Sequence, residues 1–282
     1  MKKLLCGLFI GSSMLFATAQ IEAPQPSPFS KVEQKVGLTD VTVEYSRPNM
    51  RGRTIYGDLV PYDKLWRTAA NKNTMITFSD DVTVDGQTLK AGSYAIFTKP
   101  GATNWEVYFY TDTENWGVPR NWDENKIAAK TTIQAVNIPL TMETFTVMFN
   151  DLSNSGAVLG IIWENTYVPI PFTVPTDNKV SASIEKAMAG PSDADYFAAA
   201  VYYLDEGKDI NKAVEWIDKA VEMTSNQPRF WYLRQQSLIH AKAGNKKQAI
   251  AAAKASLEGA KKAGNDDYIK MNTESLKEWG AM

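Results

Sequence analysis

The stretch of sequence that organises this chain is residues 45–78, YSRPNMRGRTIYGDLVPYDKLWRTAANKNTMITF. It holds four of the chain's seven arginines: Arg47, Arg51, Arg53 and Arg67. Aromatic residues and the turn formers glycine and proline lie between them, whereas a solvated loop is usually rich in lysine, glutamate and serine. Arginine next to aromatic residues is typical of planar hydrogen bonding and stacking. The stretch therefore predicts a segment that either binds a ligand or fixes an irregular backbone.

Seven side chains are candidates for a ligand-binding site. Five come from this stretch and two from a long loop at residues 112–130: Arg47, Arg53, Trp66, Arg67, Asn71, Trp116 and Trp122. Guanidinium groups pair with carboxylates, phosphates or sugar hydroxyls, and tryptophan rings form platforms for sugar rings. A long loop inside a compact β domain more often has a function than serves only to connect two strands.

A structural role for the same residues is the alternative. The arginines would then donate to loop carbonyls or pair with acidic neighbours such as Glu44, Asp58 and Asp63. Tryptophan buries a large area, so Trp66 would pack in the core. Trp122 lies in a run of polar residues, so exposure and burial are equally compatible with its sequence context.

These two roles predict a specific arrangement. We expect Arg53, Arg67 and Asn71 to meet near Trp66 on one side of the β domain. We expect Arg67 to be structural, because an irregular segment needs donors for its carbonyl groups and arginine offers five. Arg47 is then the better candidate for an exposed charge that faces a ligand.

The composition excludes several kinds of site. The 282-residue chain has one cysteine, Cys6, and one histidine, His240, which excludes Ser-His-Asp catalysis in the N-terminal half and a multi-histidine zinc site. We therefore predict no catalytic residue, no metal site and no cofactor. The formal net charge is −2, so the chain is a poor candidate for binding nucleic acid.

The N-terminus has the pattern of a secretory signal peptide. Two lysines precede an apolar stretch at residues 4–16, and an A-x-A motif ends at Ala19. The apolar stretch is too short to span a membrane. We predict a signal peptide at residues 1–19, cleaved after Ala19, and an extended proline-rich tether at residues 20–28. The product would be periplasmic or secreted, without membrane insertion after cleavage.

Short strands separated by turn residues follow the tether. Alternating apolar residues and turn signals predict strands at 41–45, 74–78, 82–84, 93–98, 105–110, 131–138, 144–149 and 158–163, with a possible edge strand at 170–174. A short helix or 3₁₀ turn is expected near residues 59–66, where the strand pattern fails. Residues 29–175 are therefore predicted to form an all-β sandwich.

The composition changes near Thr176, after which alanine and lysine become abundant. We predict a linker at residues 176–191 and an all-α domain of helical hairpins at residues 192–282. Ser192 with Asp195 forms a capping box, and glycines at 207 and 244 mark a repeat of 37 residues (244 − 207). This resembles tetratricopeptide repeats, whose period is about 34 residues. The chain is thus predicted to be multi-domain.

Short motifs of the β domain also resemble a known family. They include Arg47-Pro48, Gly52-Arg53, Ile55-Tyr56-Gly57, Leu59-Val60-Pro61-Tyr62, Trp66-Arg67 and Ala70-Asn71, then the hairpin at 82–94 and Trp116-Gly117. The pattern resembles the DUF2911 family of secreted proteins, common in Bacteroidetes, over about residues 26–175. Members also carry helical tails with weak tetratricopeptide character. The resemblance implies a fold and supplies no activity.

Three classes of function stay open. The first is a non-catalytic binding protein for an unknown small ligand, glycan or protein, whose helical domain offers a groove to a peptide or protein. The second is a hydrolase of envelope or extracellular glycans with paired carboxylates such as Asp58 and Asp63. The third is a structural envelope protein, which would have a filled β domain and a large exposed apolar patch.

Overall fold

The computed structural model describes residues 23–188 and 190–282. The chain divides after Val174 into a β unit and a helical unit. The predicted order, a β domain followed by helices, is confirmed. The predicted signal peptide at 1–19 lies outside the described residues. Within the described ranges, no helix has the length and apolar character that a membrane span requires.

The described part of the β unit, residues 23–174, has ten strands. In chain order they are β1 (Phe29–Val36), β2 (Thr39–Ser46), β3 (Ala70–Phe78), β4 (Val82–Val84), β5 (Gln87–Leu89), β6 (Gly92–Pro100), β7 (Asn104–Tyr110), β8 (Ile127–Gln134), β9 (Val136–Asn150) and β10 (Gly156–Thr173). They form a six-stranded sheet in the order β1-β2-β3-β6-β7-β8 and a four-stranded sheet in the order β5-β4-β10-β9. All pairings are antiparallel.

The two sheets share one apolar core, as a β-sandwich requires. Val43 of β2 and Phe109 of β7 meet Phe145 of β9 and Leu159 of β10 in a single buried cluster. Alternate residues of β6 and β7 face the other way and form a second, smaller cluster around Phe97. The six-stranded sheet therefore carries apolar side chains on both faces.

The segment between β2 and β3 is irregular and holds no helix, so the helical turn expected near residues 59–66 is wrong. Trp66 instead exchanges two backbone hydrogen bonds with Thr98 of β6, of 2.7 and 2.9 Å. Asp63 has a positive φ of 57° and donates its backbone N–H to Pro100. Pairing with the part of β6 that extends beyond its ladder with β3 satisfies backbone groups that a helix would have used.

The helical unit contains six helices. They are α1 (Thr176–Ala187), α2 (Asp193–Asp205), α3 (Ile210–Met223), α4 (Phe230–Lys242), α5 (Lys246–Ala263) and α6 (Asp266–Glu278). The capping box of Ser192 and Asp195 is present at the start of α2. Helix α1 occupies most of the segment expected to be a linker. It is tied to α2 because the Tyr202 hydroxyl donates to Asp177 at 2.9 Å.

Consecutive helices of this unit pack against each other, and α2 also contacts α4. Buried alanines lie at the contacts, including Ala200, Ala213 and Ala253. Gly207 and Gly244 have positive φ values of 61° and 81° just beyond α2 and α4. Small side chains allow close approach, and left-handed glycines end the helices so that the chain can turn back.

Candidate functional site

A cavity of about 360 Å³ lies beside the irregular segment between β2 and β3. Three arginines line it: Arg51, Arg53 and Arg67. Trp66 and Trp163 also line it, and the described lining residues include no Asp, Glu, His or Cys. We call it the arginine cavity. Its lining carries three formal positive charges and no negative charge, so the local potential favours an anion.

Two of these arginines are held by neutral acceptors. Arg53 donates from Nε to the carbonyl of Met50 and from Nη2 to that of Asn49, both at 2.8 Å. Arg51 donates from Nη2 to the carbonyl of Pro26 at 2.9 Å. Carbonyl groups orient a guanidinium without cancelling its charge. Both side chains are therefore positioned at the cavity with their charge available.

Arg67 is held differently, because its side chain donates no hydrogen bond and forms no ion pair with any described residue. Its Nε is fully buried and has no acceptor. Burial lowers the pKa of the Arg67 guanidinium below its ordinary value. A buried donor without a partner is destabilising, and more so when it carries charge. The expectation that Arg67 anchors loop carbonyls is therefore wrong.

The backbone that follows Arg67 is strained. Thr68, Ala69 and Asn71 have positive φ values of 56°, 121° and 58°. For residues other than glycine, such values each cost about 1–3 kcal/mol and persist only where the surroundings impose them. Here the Thr68 carbonyl accepts from the Thr74 hydroxyl, and the Thr68 hydroxyl lies 3.0 Å from that of Thr98. Strain of this kind clusters at ligand sites, and Ala69 lines the arginine cavity.

An aromatic wall closes one side of the arginine cavity. Trp66 stacks on Trp163, and Tyr56 and Phe145 contact both rings edge to face. The Trp163 indole N–H donates to the carbonyl of Glu143 at 3.1 Å, which fixes the ring. Burial, followed by the nearby negative charge of Glu164, raises the pKa of the Tyr56 phenol. The wall offers a rigid apolar surface next to the cationic groups.

Arg47 lies outside the lining of the arginine cavity. It donates from Nε to the carbonyl of Phe145 at 3.2 Å and from Nη2 to the hydroxyl of Thr146 at 2.7 Å. Arg47 directly follows β2 and therefore ties the end of that strand to β9 of the other sheet. The expectation that Arg47 is an exposed charge that faces a ligand is therefore wrong, because its guanidinium is held by β9.

Asn71 and Trp116 line a second cavity of about 480 Å³, which we call the Trp116 cavity. The Asn71 amide donates to the carbonyl of Ser27 at 3.2 Å and to the hydroxyl of Ser46 at 3.1 Å. Ser27 lines both cavities, so they are neighbours. Arg53, Arg67 and Trp66 thus come together as expected, whereas Asn71 belongs to the adjoining cavity.

Trp122 lies in neither of these two cavities. It stacks on Tyr110 with ring centroids 4.4 Å apart and planes at 17°, and it contacts Phe97 and Tyr108 edge to face. The ring covers the small apolar cluster on the outer face of the six-stranded sheet. Trp122 therefore serves packing in this structure.

The acidic residues considered for hydrolysis lie elsewhere. Asp58 and Asp63 are exposed, and neither lines the arginine cavity or the Trp116 cavity. Among the described parts of the chain, no group of three or more His, Cys, Asp or Glu side chains is arranged to hold a metal ion.

Arg51 and Trp163 line the arginine cavity and were not among the sequence candidates. Arg51 carried a usable signal, because it lies in the same arginine-rich stretch as Arg53. Trp163 carried none, because in the sequence it is one more apolar residue of a predicted strand. Only the packing of β10 against the irregular segment brings Trp163 to Trp66.

Comparison with known proteins identifies one family. The family model described as "Protein of unknown function (DUF2911)" matches residues 27–172, which include the three arginines, Trp66 and Trp116. No curated protein and no solved structure matches the chain.

Proposed function

The chain belongs to the DUF2911 family, and we propose that it is a non-catalytic binding protein whose arginine cavity holds a small organic anion. The observation that carries the proposal is Arg67. Its guanidinium lines the cavity, its Nε is buried, and it has no acceptor among the described residues. A bound anion beside the guanidinium would offset the cost of burying its charge.

The lining also indicates the class of anion. Guanidinium forks match the planar carboxylate and the oxygens of a phosphate or sulfate. The partly buried ring of Trp66, which is held in place by Trp163, suits an apolar or cyclic portion of the same ligand. A volume of about 360 Å³ lies within the range of small-molecule sites.

The described lining favours binding over chemistry. Its charged groups are arginines, which donate hydrogen bonds and do not exchange protons near neutral pH. General acid–base catalysis relies on groups such as His, Asp or Glu within hydrogen-bond reach of the reacting atoms. The glycan hydrolase and the structural envelope protein are the competing proposals.

Thermal unfolding with a panel of anions tests the proposal. The panel consists of inorganic phosphate, sulfate, citrate, benzoate and phenyl phosphate, and the variants are Arg67→Met and Arg120→Met. Arg120 is an exposed arginine that lines neither cavity, so it controls for loss of one positive charge. A ligand present at about 100 Kd should raise the free energy of unfolding by about 2.7 kcal/mol in the wild type and in Arg120→Met.

The Arg67→Met variant should lose this stabilisation. If no anion of the panel stabilises the wild type, or if both variants respond as the wild type does, the arginine cavity does not hold an anion.

We further propose that the helical unit is a tetratricopeptide-like array that offers a groove to a peptide or protein. The support is the pairing of consecutive helices over buried alanines, together with the 37-residue spacing of Gly207 and Gly244. An experimental structure in which the α2–α3 pair fails to superpose on the α4–α5 pair would contradict it.

We also propose that residues 1–19 direct export and that the mature protein, of Bacteroidetes-type bacterial origin, is periplasmic or secreted. The intact mass of the exported protein should match a chain that begins at Gln20. A product that keeps residues 4–16, or that begins at a lipidated Cys6, contradicts this cleavage.

A further inference from the structure

We propose that the Trp116 cavity is a saccharide site, in which a neutral pyranose ring stacks on the indole of Trp116. The proposal goes beyond anion binding, since it concerns a different cavity and a ligand of different charge. Three observations support it. The exposed ring of Trp116 lies on an anchored loop, and a second exposed ring, that of Phe29, lines the same cavity. Side-chain oxygens of Glu44 and Asn71 that could accept hydrogen bonds from a ligand also line it.

Trp116 is 75% exposed, yet its loop is fixed to β3. The backbone N–H of Asn115 donates to the side chain of Asn73 at 2.9 Å, and the backbone N–H of Asn73 donates to the carbonyl of Asn115 at 2.9 Å. The Asn115 amide also donates to the carbonyl of Asp112 at 2.8 Å. An exposed tryptophan on such an anchored loop is pre-organised, so little ordering is needed when a ligand binds.

A second aromatic ring faces solvent at the same cavity. Phe29, at the start of β1, is 67% exposed and lines the cavity together with Tyr45 and Met75. An aromatic ring that is exposed to water lacks the favourable free energy that burial in a core would provide. Their presence around a cavity of about 480 Å³ marks a surface suited to a ring-shaped ligand.

The polar groups of the cavity indicate a ligand rich in hydroxyls. The Glu44 carboxylate and the Asn71 Oδ1 accept no hydrogen bond from the described residues, and Glu44 forms no ion pair with them. Both residues line the cavity. Sugar hydroxyls donate to such acceptors while the C–H face of the ring packs on an aromatic side chain.

The charges of this cavity indicate a neutral ligand. Lys72 also lines it, but its ammonium is paired with Glu114 at 2.9 Å. Lys31 lies opposite Glu44 on β1, but its ammonium is paired with Glu33 at 2.5 Å. The Glu44 carboxylate forms no ion pair with the described residues, so it would repel an anion. The two neighbouring cavities thus differ in preference: the arginine cavity favours negative charge, and the Trp116 cavity favours an uncharged hydroxylated ring.

Nuclear magnetic resonance of the full chain tests the proposal directly. The probes are methyl β-D-glucopyranoside, N-acetylglucosamine and cellobiose, with inorganic phosphate for comparison. The indole N–H signal of Trp116 is assigned as the one that disappears in Trp116→Phe. At least one saccharide should shift that signal in a saturable way, and phosphate should not.

The variants then locate the site. Trp116→Ala should weaken binding of the responding saccharide about tenfold, as expected for loss of a stacked ring. Trp231→Ala serves as the control, because Trp231 is 40% exposed and lies in the helical unit. Glu44→Gln should also weaken binding, and it leaves the aromatic rings in place if Trp116→Ala fails to fold.

The outcome is separable from that of the anion proposal. Arg67→Met should leave saccharide binding unchanged, and Trp116→Ala should leave stabilisation by anions unchanged. The saccharide site is refuted if none of the three saccharides shifts the Trp116 signal, if phosphate alone shifts it, or if Trp116→Ala and Trp231→Ala bind equally well.

Discussion

Trp66 stacks on Trp163 with ring centroids 6.2 Å apart and 16° between the ring planes. Trp163 is buried on β10 of the four-stranded sheet, and Trp66 lies on the irregular segment that pairs with β6 of the other sheet. The stack therefore joins the arginine-rich segment to both sheets. The same two residues line the arginine cavity, so the packing of the sheets and the shape of the cavity depend on one contact.

Replacing Trp66 with alanine should strongly destabilise the β unit. The ring contacts Tyr56, Trp105, Phe145 and Trp163, and its loss leaves a cavity between the sheets. Losses of about 3 kcal/mol are typical of such large-to-small changes. Urea denaturation measures the difference. Trp116→Ala, at an exposed ring, should change the free energy of unfolding by about 0.5 kcal/mol or less, and an equal loss in both variants would contradict the assignment.

Arg47 and Arg67 should respond oppositely to replacement by methionine. Arg47→Met leaves the carbonyl of Phe145 and the hydroxyl of Thr146 without their donor, at a cost of about 1–3 kcal/mol. Arg67→Met removes a partly buried charge that has no partner, so the free energy of unfolding without ligand should stay unchanged or rise. Urea denaturation without added anions measures both. A larger loss for Arg67→Met than for Arg47→Met would show that the buried guanidinium has a structural role.

Ala69→Gly should stabilise the protein. Ala69 has φ 121°, where glycine is favoured, and relief of about 1–3 kcal/mol of strain outweighs the entropic cost of glycine, about 0.5–1 kcal/mol. Ala70→Gly, one residue on and in β3, is the matched control and should be destabilising. Thermal unfolding compares the two. If Ala69→Gly lowers the melting temperature as much as Ala70→Gly, the backbone at Ala69 is not strained.

Acid should selectively remove the stability that Glu106 contributes. The hydroxyl of Tyr108, at 2.6 Å, and then the ammonium of Lys130, at 2.9 Å, lower the pKa of the Glu106 carboxyl below its ordinary 4.5. A lowered pKa in the folded state gives stability that is present above pH 4.5 and is lost as the pH falls through the lowered value. The wild type should therefore be more stable than Glu106→Gln at pH 7, and the difference should shrink below pH 4.5.

The measurement is urea denaturation of both proteins between pH 7 and pH 3. If the difference in free energy of unfolding between the two proteins stays constant over this range, the hydrogen bonds to Glu106 do not stabilise its ionised form more than its protonated form.

Residues 23–174 should fold when they are expressed alone. Both apolar clusters of the β unit are built from residues before Pro175. A chain with a complete core of its own is expected to fold cooperatively. A β-type circular dichroism spectrum and dispersed amide signals in nuclear magnetic resonance would show that this fragment is folded. A disordered product would mean that the helices complete the β core.

The alternation of apolar and polar residues was sufficient to predict the regular strands. It failed to predict strand boundaries where pairing with distant strands decides the conformation. Val41, Val43 and Tyr45 alternate with polar residues and form β2 as expected. The long β10 was expected as two strands, 158–163 and 170–174, and it contains Pro169 and Pro171. In the structure they lie between the stretch paired with β9, which ends at Tyr167, and Thr173, which pairs with β4, so a missing N–H is tolerated there.

The sequence predicted which residue types form the candidate site, but not the hydrogen-bond partners of each arginine. Arginine and tryptophan in one irregular segment correctly indicated Arg53, Trp66 and Arg67 as neighbours. Which arginine would keep free donors depends on acceptors far along the chain, such as Phe145, which lies 98 residues after Arg47. Such partners are brought together only by the packing of the sheets, so local sequence could not show that Arg47 has acceptors and that Arg67 Nε has none.

Ser27 is shared by the two cavities, and this has a thermodynamic consequence. The segment around it is held from both sides, by Arg51 through the carbonyl of Pro26 and by Asn71 through the carbonyl of Ser27. A ligand that displaces or stiffens this common wall in one cavity changes the affinity of the other. Linkage requires the reverse effect to be of equal size, so titrating either ligand in the presence of the other measures a single coupling free energy.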